Sequence, residues 1–359
     1  MMDSEWLLDD FGVAVEHAVR VETGADENAL LWRVVAGDGR AYAVKLSRAG
    51  AVAGLELTSR LGLPGVPRPL LARDGRPWSV REGRRLSVVP WVSDRPAFRS
   101  GLMTAERWRA YGRLLAGVHA TPTPVTAGAP QPDDGRPTSS ALPVSGEPPA
   151  SGEPPASGEL PVGSGPHVGS GPPAGAGPPE SGEPLSSPGP SLGVGLPCIG
   201  DGLAVVTALA GEVRPVDGPL LDLWRRRDGE AKVGELLGEA GRLAAALRPA
   251  PLVVSHGDPH LGNVLLDDAE GVWLIDWDDA MLAPREWDLM LALDLRFFGV
   301  TERERAWFLD GYAAEGELDL ERIAYYRIVR HLEDILLFAR QVMRGHDADQ
   351  AMGILREIL

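Results

Sequence analysis

The run His256-Gly-Asp-Pro-His-Leu-Gly-Asn263 places an acid two residues after a histidine and an amide five residues after that acid. Asp276 follows thirteen residues later, in Leu274-Ile-Asp-Trp-Asp278. An acid, an amide and a second acid in this order suit phosphoryl transfer from a metal-bound triphosphate. In that chemistry one carboxylate accepts the proton of the attacking hydroxyl, while an amide oxygen and another carboxylate hold the metal that offsets the charge of the transferring group. The pattern H-x-D-x-x-x-x-N, with a further Asp after a short hairpin, gives those parts to Asp258, Asn263 and Asp276.

The surrounding residues predict the elements that must hold them. Leu252–Ser255, Asn263–Leu266 and Gly271–Ile275 are short apolar runs, the last two joined by the turn-like Asp267–Gly271, so each acid sits just beyond a strand. Loops held by rigid strands are where catalytic groups concentrate. The chain has only two asparagines, Asn28 and Asn263, and two lysines, Lys45 and Lys232, against 33 arginines. Lys45 lies in Ala41–Ser47, which alternates like a strand, with Tyr42, Val44 and Leu46 on one face and Ala43 and Lys45 on the other. That second face would look into a nucleotide cleft. Two plainer readings compete. His256, Asp258 and His260 could ligate a metal directly, but no further Cys/His pair follows at the spacing of a zinc site. Asp276 and Asp278 could be a solvated strand end, against which stand the preceding apolar run and the spacing to Asn263.

On these residues the chain resembles the aminoglycoside phosphotransferase and choline kinase-like family, over about 280 residues interrupted by one insertion. The resemblance implies an α+β fold of the bilobal protein kinase type, with a small antiparallel-sheet N-terminal lobe and a larger, mainly helical C-terminal lobe. It implies ATP and Mg²⁺ as cofactors, with Lys45 on the nucleotide phosphates, Asp258 as base, and Asn263 and Asp276 on the metal. A helix glutamate pairs with the lysine in such folds, and Glu56 is the acid between Lys45 and Asp74 that lies in a helix-like stretch. Val89 and Trp91, in the crossing between lobes, are the expected purine contacts, and His256 is expected to brace the catalytic loop. A narrower resemblance to the spectinomycin phosphotransferase branch rests on Asp276–Asp278, Leu282–Met290, Leu221–Arg225, Ala324–Arg327 and Glu333–Ile335. Glu333 and Asp334 are the expected acceptor contacts. The phosphate-covering loop is weakly specified, because Glu22–Ala29 contains a single glycine, Gly24.

The expected lobes are residues 1–93 for nucleotide, 94–120 as the start of the second lobe, and 201–359 for catalysis and acceptor binding. Within them, Gly37–Gly39 and Glu82–Gly83 read as hairpin turns, Ala105–Ala120 as a core helix, and Leu289–Phe298 as part of another helix. Residues 121–200 differ abruptly: they hold 20 of the 32 prolines, 16 glycines and 11 serines, and Ser-Gly-Glu-Pro-Pro-Ala is repeated at 145–150 and 151–156. Such a composition predicts a disordered insertion without a core of its own. The net charge of −16 divides into +3 over 1–120, −6 over 121–200 and −13 over 201–359. A field of that sign repels nucleic acid and suits a small, amine-bearing hydroxyl acceptor; an acidic surface that only aids solubility is the plainer reading, and a metabolic kinase for choline, homoserine, methylthioribose or a sugar, or a kinase-like binding protein without catalysis, stays an alternative. One cysteine, Cys198, cannot form a disulfide within the chain, and there is neither a signal-like N-terminus nor a membrane-length apolar run. The expectation is a cytoplasmic protein with no membrane partner.

Overall fold

The structure, a computed structural model, describes residues 3–21, 29–48, 52–122, 195–293, 299–313, 317–345 and 348–359. Most of the expected phosphate-covering loop (22–28) and of the expected insertion (123–194) lies outside the described residues.

The first lobe begins with α1 (Ser4–Phe11), followed by β1 (Val15–Val21), β2 (Ala29–Ala36), β3 (Ala41–Arg48), α2 (Ala53–Leu61), β4 (Ser79–Arg81) and β5 (Arg84–Pro90). The strands form one antiparallel sheet in the order β1-β2-β3-β5-β4. Both expected hairpin turns are present. Gly39 takes φ +78° at the β2–β3 turn, and Glu82 and Gly83 at φ +51° and +71° close the β4–β5 turn, the mirror-image geometry that matches strand twist. One sheet face buries Trp32, Val34, Tyr42, Val44, Leu86 and Val88 against Trp6 and Leu7 of α1. Each such large side chain contributes about 1.5–3 kcal/mol when fully buried. Alternation along β3 then leaves Lys45 on the opposite face, in register with Leu31 on β2 and Ser87 on β5.

The second lobe contains α3 (Ala97–Ser100), α4 (Ala105–His119), α5 (Gly202–Glu212), α6 (Gly218–Arg226), α7 (Gly229–Ala246), β6 (Val253–Ser255), β7 (Val264–Leu266), β8 (Val272–Leu274), β9 (Met281–Ala283), α8 (Glu286–Ala292), α9 (Glu302–Tyr312), α10 (Leu320–Arg344) and α11 (Ala348–Ile358). As expected, α4 is a core helix: Trp108, Tyr111, Leu115 and Val118 are buried on it. It meets α9 through Gly112 and Gly311, where a Cβ would fall 2.2 Å from the Phe308 carbonyl and 2.1 Å from the Arg109 carbonyl, respectively. Asp267 shapes the β7–β8 hairpin by accepting the amides of Ala269 and Gly271 and the Trp273 indole N–H. That indole bond, ahead of the backbone bonds and despite partial burial, holds the Asp267 carboxyl below its ordinary range.

Two sequence expectations need correction. The helix expected to run on from Leu289 to Phe298 ends at Ala292 with Leu293 as its cap, and 294–298 lie outside the described residues. The last residues of the expected disordered segment are ordered: Leu196 is buried, Leu282 donates its amide to the Pro197 carbonyl (2.7 Å), and Ile199 donates to the Leu282 carbonyl (2.8 Å). The edge of β9 supplies that order, because an unpaired strand edge offers hydrogen bonds that composition alone does not reveal. Among the described residues no helix is long and apolar enough to cross a membrane.

Candidate active site

Chain geometry forces the catalytic loop into a sharp turn. Gly257, just past β6, has φ +93°, and a Cβ there would fall 2.1 Å from the Asp279 carbonyl. Only glycine fits both conditions. The turn exposes two amides, and Asp288 on α8 receives both: His256 N–H donates to Oδ2 (2.8 Å) and Gly257 N–H to Oδ1 (2.9 Å). His119 Nε2 donates to Oδ2 (3.0 Å), while its Nδ1 accepts from the Tyr312 hydroxyl (2.6 Å). Asp288 is fully buried. It holds the loop from beneath and does not face an acceptor.

His256 braces the loop, as expected. Its Nε2 donates to the Ile275 carbonyl (2.9 Å), which fixes the tautomer, so Nδ1 accepts the Asp258 amide (3.2 Å). One imidazole thus ties the Asp258 backbone to the residue before Asp276, and Trp277 packs edge-on against it at 4.5 Å. Trp287 donates its indole N–H to the Gly257 carbonyl (2.8 Å), and the Tyr111 hydroxyl donates to the Pro259 carbonyl. Burial pushes the Tyr111 phenol well above its ordinary value. Both tryptophans are buried structural residues.

Asn263 donates its side-chain N–H to the Asp258 carbonyl (2.9 Å) and accepts the Ile275 amide on its own carbonyl (2.9 Å). With the amide nitrogen engaged, the side-chain oxygen is left to act as an acceptor. Asp276 has φ +61°, a left-handed conformation that for a non-glycine residue costs on the order of 1 kcal/mol and concentrates at functional sites. An amide oxygen beside carboxylate oxygens is the hard donor set that Mg²⁺ takes, so Asn263 and Asp276 fit the metal implied for them.

Lys45 reaches this cluster from the other lobe. Its Nζ lies 2.9 Å from Asp278 Oδ2 and 3.3 Å from Asp276 Oδ1, and the buried Arg85 is 3.8 Å from the same Asp278 oxygen. Asp278 faces these cations. Glu56 forms no ion pair with Lys45, contrary to expectation; it lines a surface depression with Ser59, Arg60, Arg68 and Trp78. The reason lies two residues earlier. Gly54 packs so closely on the Asp276–Trp277 loop that a Cβ would fall 1.8 Å from the Trp277 carbonyl. Two helical residues turn the chain by about 200°, which sends Glu56 to the far side of α2.

The expected purine contacts lie on and after β5. Val89 pairs with Ala43. The Trp91 amide donates to the Ala41 carbonyl (2.9 Å) and its indole N–H to Asp94 (3.1 Å), with the Arg33 guanidinium 5.4 Å over the ring. Trp91 therefore has its π face and backbone carbonyl to offer a ligand, and no free N–H.

Acids crowd the face of α10 beside the Asp258 loop. Glu333 and Asp334, on α10, lie with Asp279 and Asp258 around one guanidinium, Arg330, which sequence reasoning missed. Burial, reinforced by Glu333 and Asp258 and only partly offset by Arg330, pushes the Asp334 carboxyl up to about 6. Burial raises Glu333 and Asp279 as well. His260 closes the group: its Nδ1 accepts the Gly262 amide (2.9 Å), and Nε2 lies 3.4 Å from Asp258 Oδ2. Burial lowers its pKa despite Asp258. The i, i+4 spacing of Arg330 and Asp334 was the available signal, and it is common on solvated helices.

Replacing Asp288 with Asn sets an amide N–H against a loop N–H and leaves a buried donor unmatched, a cost of about 1–3 kcal/mol. The D288N protein is expected to melt roughly 3–8 °C lower and to lose turnover while still binding nucleotide. Thermal unfolding with nucleotide titration checks this, and an unchanged melting point would contradict the brace.

Residues 167–326 match the phosphotransferase enzyme family, a stretch that includes the catalytic loop and Asp276 and excludes Lys45. Protein StrN of Streptomyces griseus is 34% identical over 152 residues, 41% of this chain and 42% of that protein, so the matched stretch spans about two fifths of this relative's length. Spectinomycin phosphotransferase in complex with ADP and spectinomycin superposes with a TM-score of 0.70 at 19% identity, covering 99% of this chain and 92% of that one. A thermostable mutant of an aminoglycoside phosphotransferase, in a ternary complex with AMP-PNP and hygromycin B, gives 0.56 at 13% identity, covering 99% and 97%. The family resemblance is borne out over the stretch that holds His256–Asn263 and Asp276, and the fold of the chain is that of the aminoglycoside phosphotransferases.

Proposed function

We propose that the protein is an ATP-dependent phosphotransferase that moves the γ-phosphoryl group to a hydroxyl of a small, amine-bearing molecule by direct in-line transfer. The observation that carries this reading is the meeting of Lys45, from one lobe, with Asp276 and Asp278, beside the Asp258–Asn263 loop of the other. Lys45 binds the nucleotide phosphates in exchange for its present carboxylate partners. Val89 and the Trp91 ring contact the purine. Asn263 and Asp276 would hold Mg²⁺, which when bound offsets charge on the transferring group. Asp258 receives the acceptor's proton.

Acid excess supports an amine-bearing acceptor. Asp258, Asp279, Glu333 and Asp334 surround one guanidinium, so an added ammonium would offset part of the remaining acid excess. Spectinomycin and hygromycin B, the ligands in the complexes with the same fold, belong to this chemical class. Glu333 and Asp334 are assigned to the acceptor amine.

The reading is tested by ADP release with MgATP across aminocyclitols, aminoglycosides, choline and neutral alcohols. We expect acceptor-dependent turnover with an amine-bearing compound, and Asp258→Ala to lower kcat by about 10²–10⁴-fold with ATP affinity retained. Absence of turnover on every compound would favour a nucleotide-binding protein without catalysis. The raised Asp334 pKa adds a pH dependence. An acid shifted upward carries its charge only above the shifted value, so the KM for an amine acceptor is expected to rise as pH falls through about 6. A KM constant from pH 5 to 7 would remove Asp334 from acceptor binding.

A further inference from the structure

A cation built into the acceptor side is unexpected where the acceptor itself is positively charged. Arg330 projects from α10 into the acid cluster, its Nη2 3.5 Å from Asp258 Oδ1 and its Nε 3.3 Å from Asp334 Oδ1. Burial works against its charge, yet Asp334, Asp258, Glu333 and Asp279 together hold it above the ordinary arginine value. An amine-bearing acceptor gains nothing from this guanidinium. Asp258 does. Its Oδ1 is buried and makes no hydrogen bond among the described residues, so the guanidinium supplies its compensating charge. The other oxygen faces His260 Nε2 at 3.4 Å. A carboxylate among three others would otherwise swing toward solvent, because like charges repel.

Resting on the function proposed above, we infer that Arg330 is a positioning residue for transfer: it fixes the Asp258 carboxylate by pairing with Oδ1 and so keeps Oδ2 toward the acceptor hydroxyl. Asp334, one helical turn on, keeps the planar fork of Arg330 turned toward Asp258. Asp334 therefore serves the base as well as the acceptor amine. A point charge cannot replace the fork fully, since lysine lacks the second edge that Asp334 holds.

The test compares wild type, R330M and R330K, with and without Asp258→Ala. R330M is expected to lower kcat by about 10–100-fold, the range that follows a misplaced reacting group, with the KM for MgATP within about twofold. R330K should recover part of the loss, and R330M should add nothing once Asp258 is alanine. Should R330M fail to fold, the reduced kcat of R330K carries the same decision. Crystal structures give a readout independent of turnover: Asp258 is expected to change side-chain rotamer in R330M. A kcat retained within about threefold, or a carboxylate that has not moved, overturns the inference. A wild type inactive on every acceptor would instead overturn the proposed function, and the crystal comparison would still decide the role of Arg330.

Discussion

Across the cleft, the Lys45 ammonium sits between the carboxylates of Asp276 and Asp278, and the site exists only if this approach is made. The pair itself adds little to stability. Both carboxylates are roughly half exposed, and ion pairs of that kind contribute about 0–1 kcal/mol. What places Lys45 is the sheet, whose apolar face closes on α1 and whose register sets Lys45 beside Ser87. What places the carboxylates is the strained turn at Asp276 and the close seat of Gly54 on Trp277. The charge contact is thus a consequence of packing. It can be given up to a nucleotide at small cost.

Rigidity on the other side of the cleft has a different origin. The Asp258 loop rests on a buried carboxylate, Asp288, which meets two amides and an imidazole and is linked through His119 to Tyr312. A buried charge is tolerable when its lone pairs are matched in this way. Removing a partner is costly, which is why such a brace holds a loop more firmly than exposed contacts do. The two devices complement each other: an exposed lysine contact that can exchange partners and a loop held by buried hydrogen bonds. Acid excess around Arg330 lies beside that loop.

Much of this was legible in the sequence because the signals are local. The His256–Asn263 spacing, the alternation around Lys45, both hairpin turns and the apolar stripe of α4 each reflect geometry within a few residues. The brace by His256 was legible for the same reason. Glu56 was misread because the rotation of α2 is set by a contact with Trp277, more than 200 residues away in the chain, and elimination among acids carries no information about rotation. Arg330 left no local mark beyond one i, i+4 acid. The pairing of 197–199 with β9 depends on an edge that composition cannot show. In each case the missing information was a tertiary contact.

If Asp258 takes a proton and never a phosphoryl group, transfer is a single displacement at phosphorus. The most direct measurement is the stereochemical course of transfer from ATP carrying a chiral, isotopically labelled γ-thiophosphate to the best acceptor. One in-line step predicts inversion at phosphorus. Retention would require two displacements through a phosphorylated enzyme and would contradict the role given to Asp258.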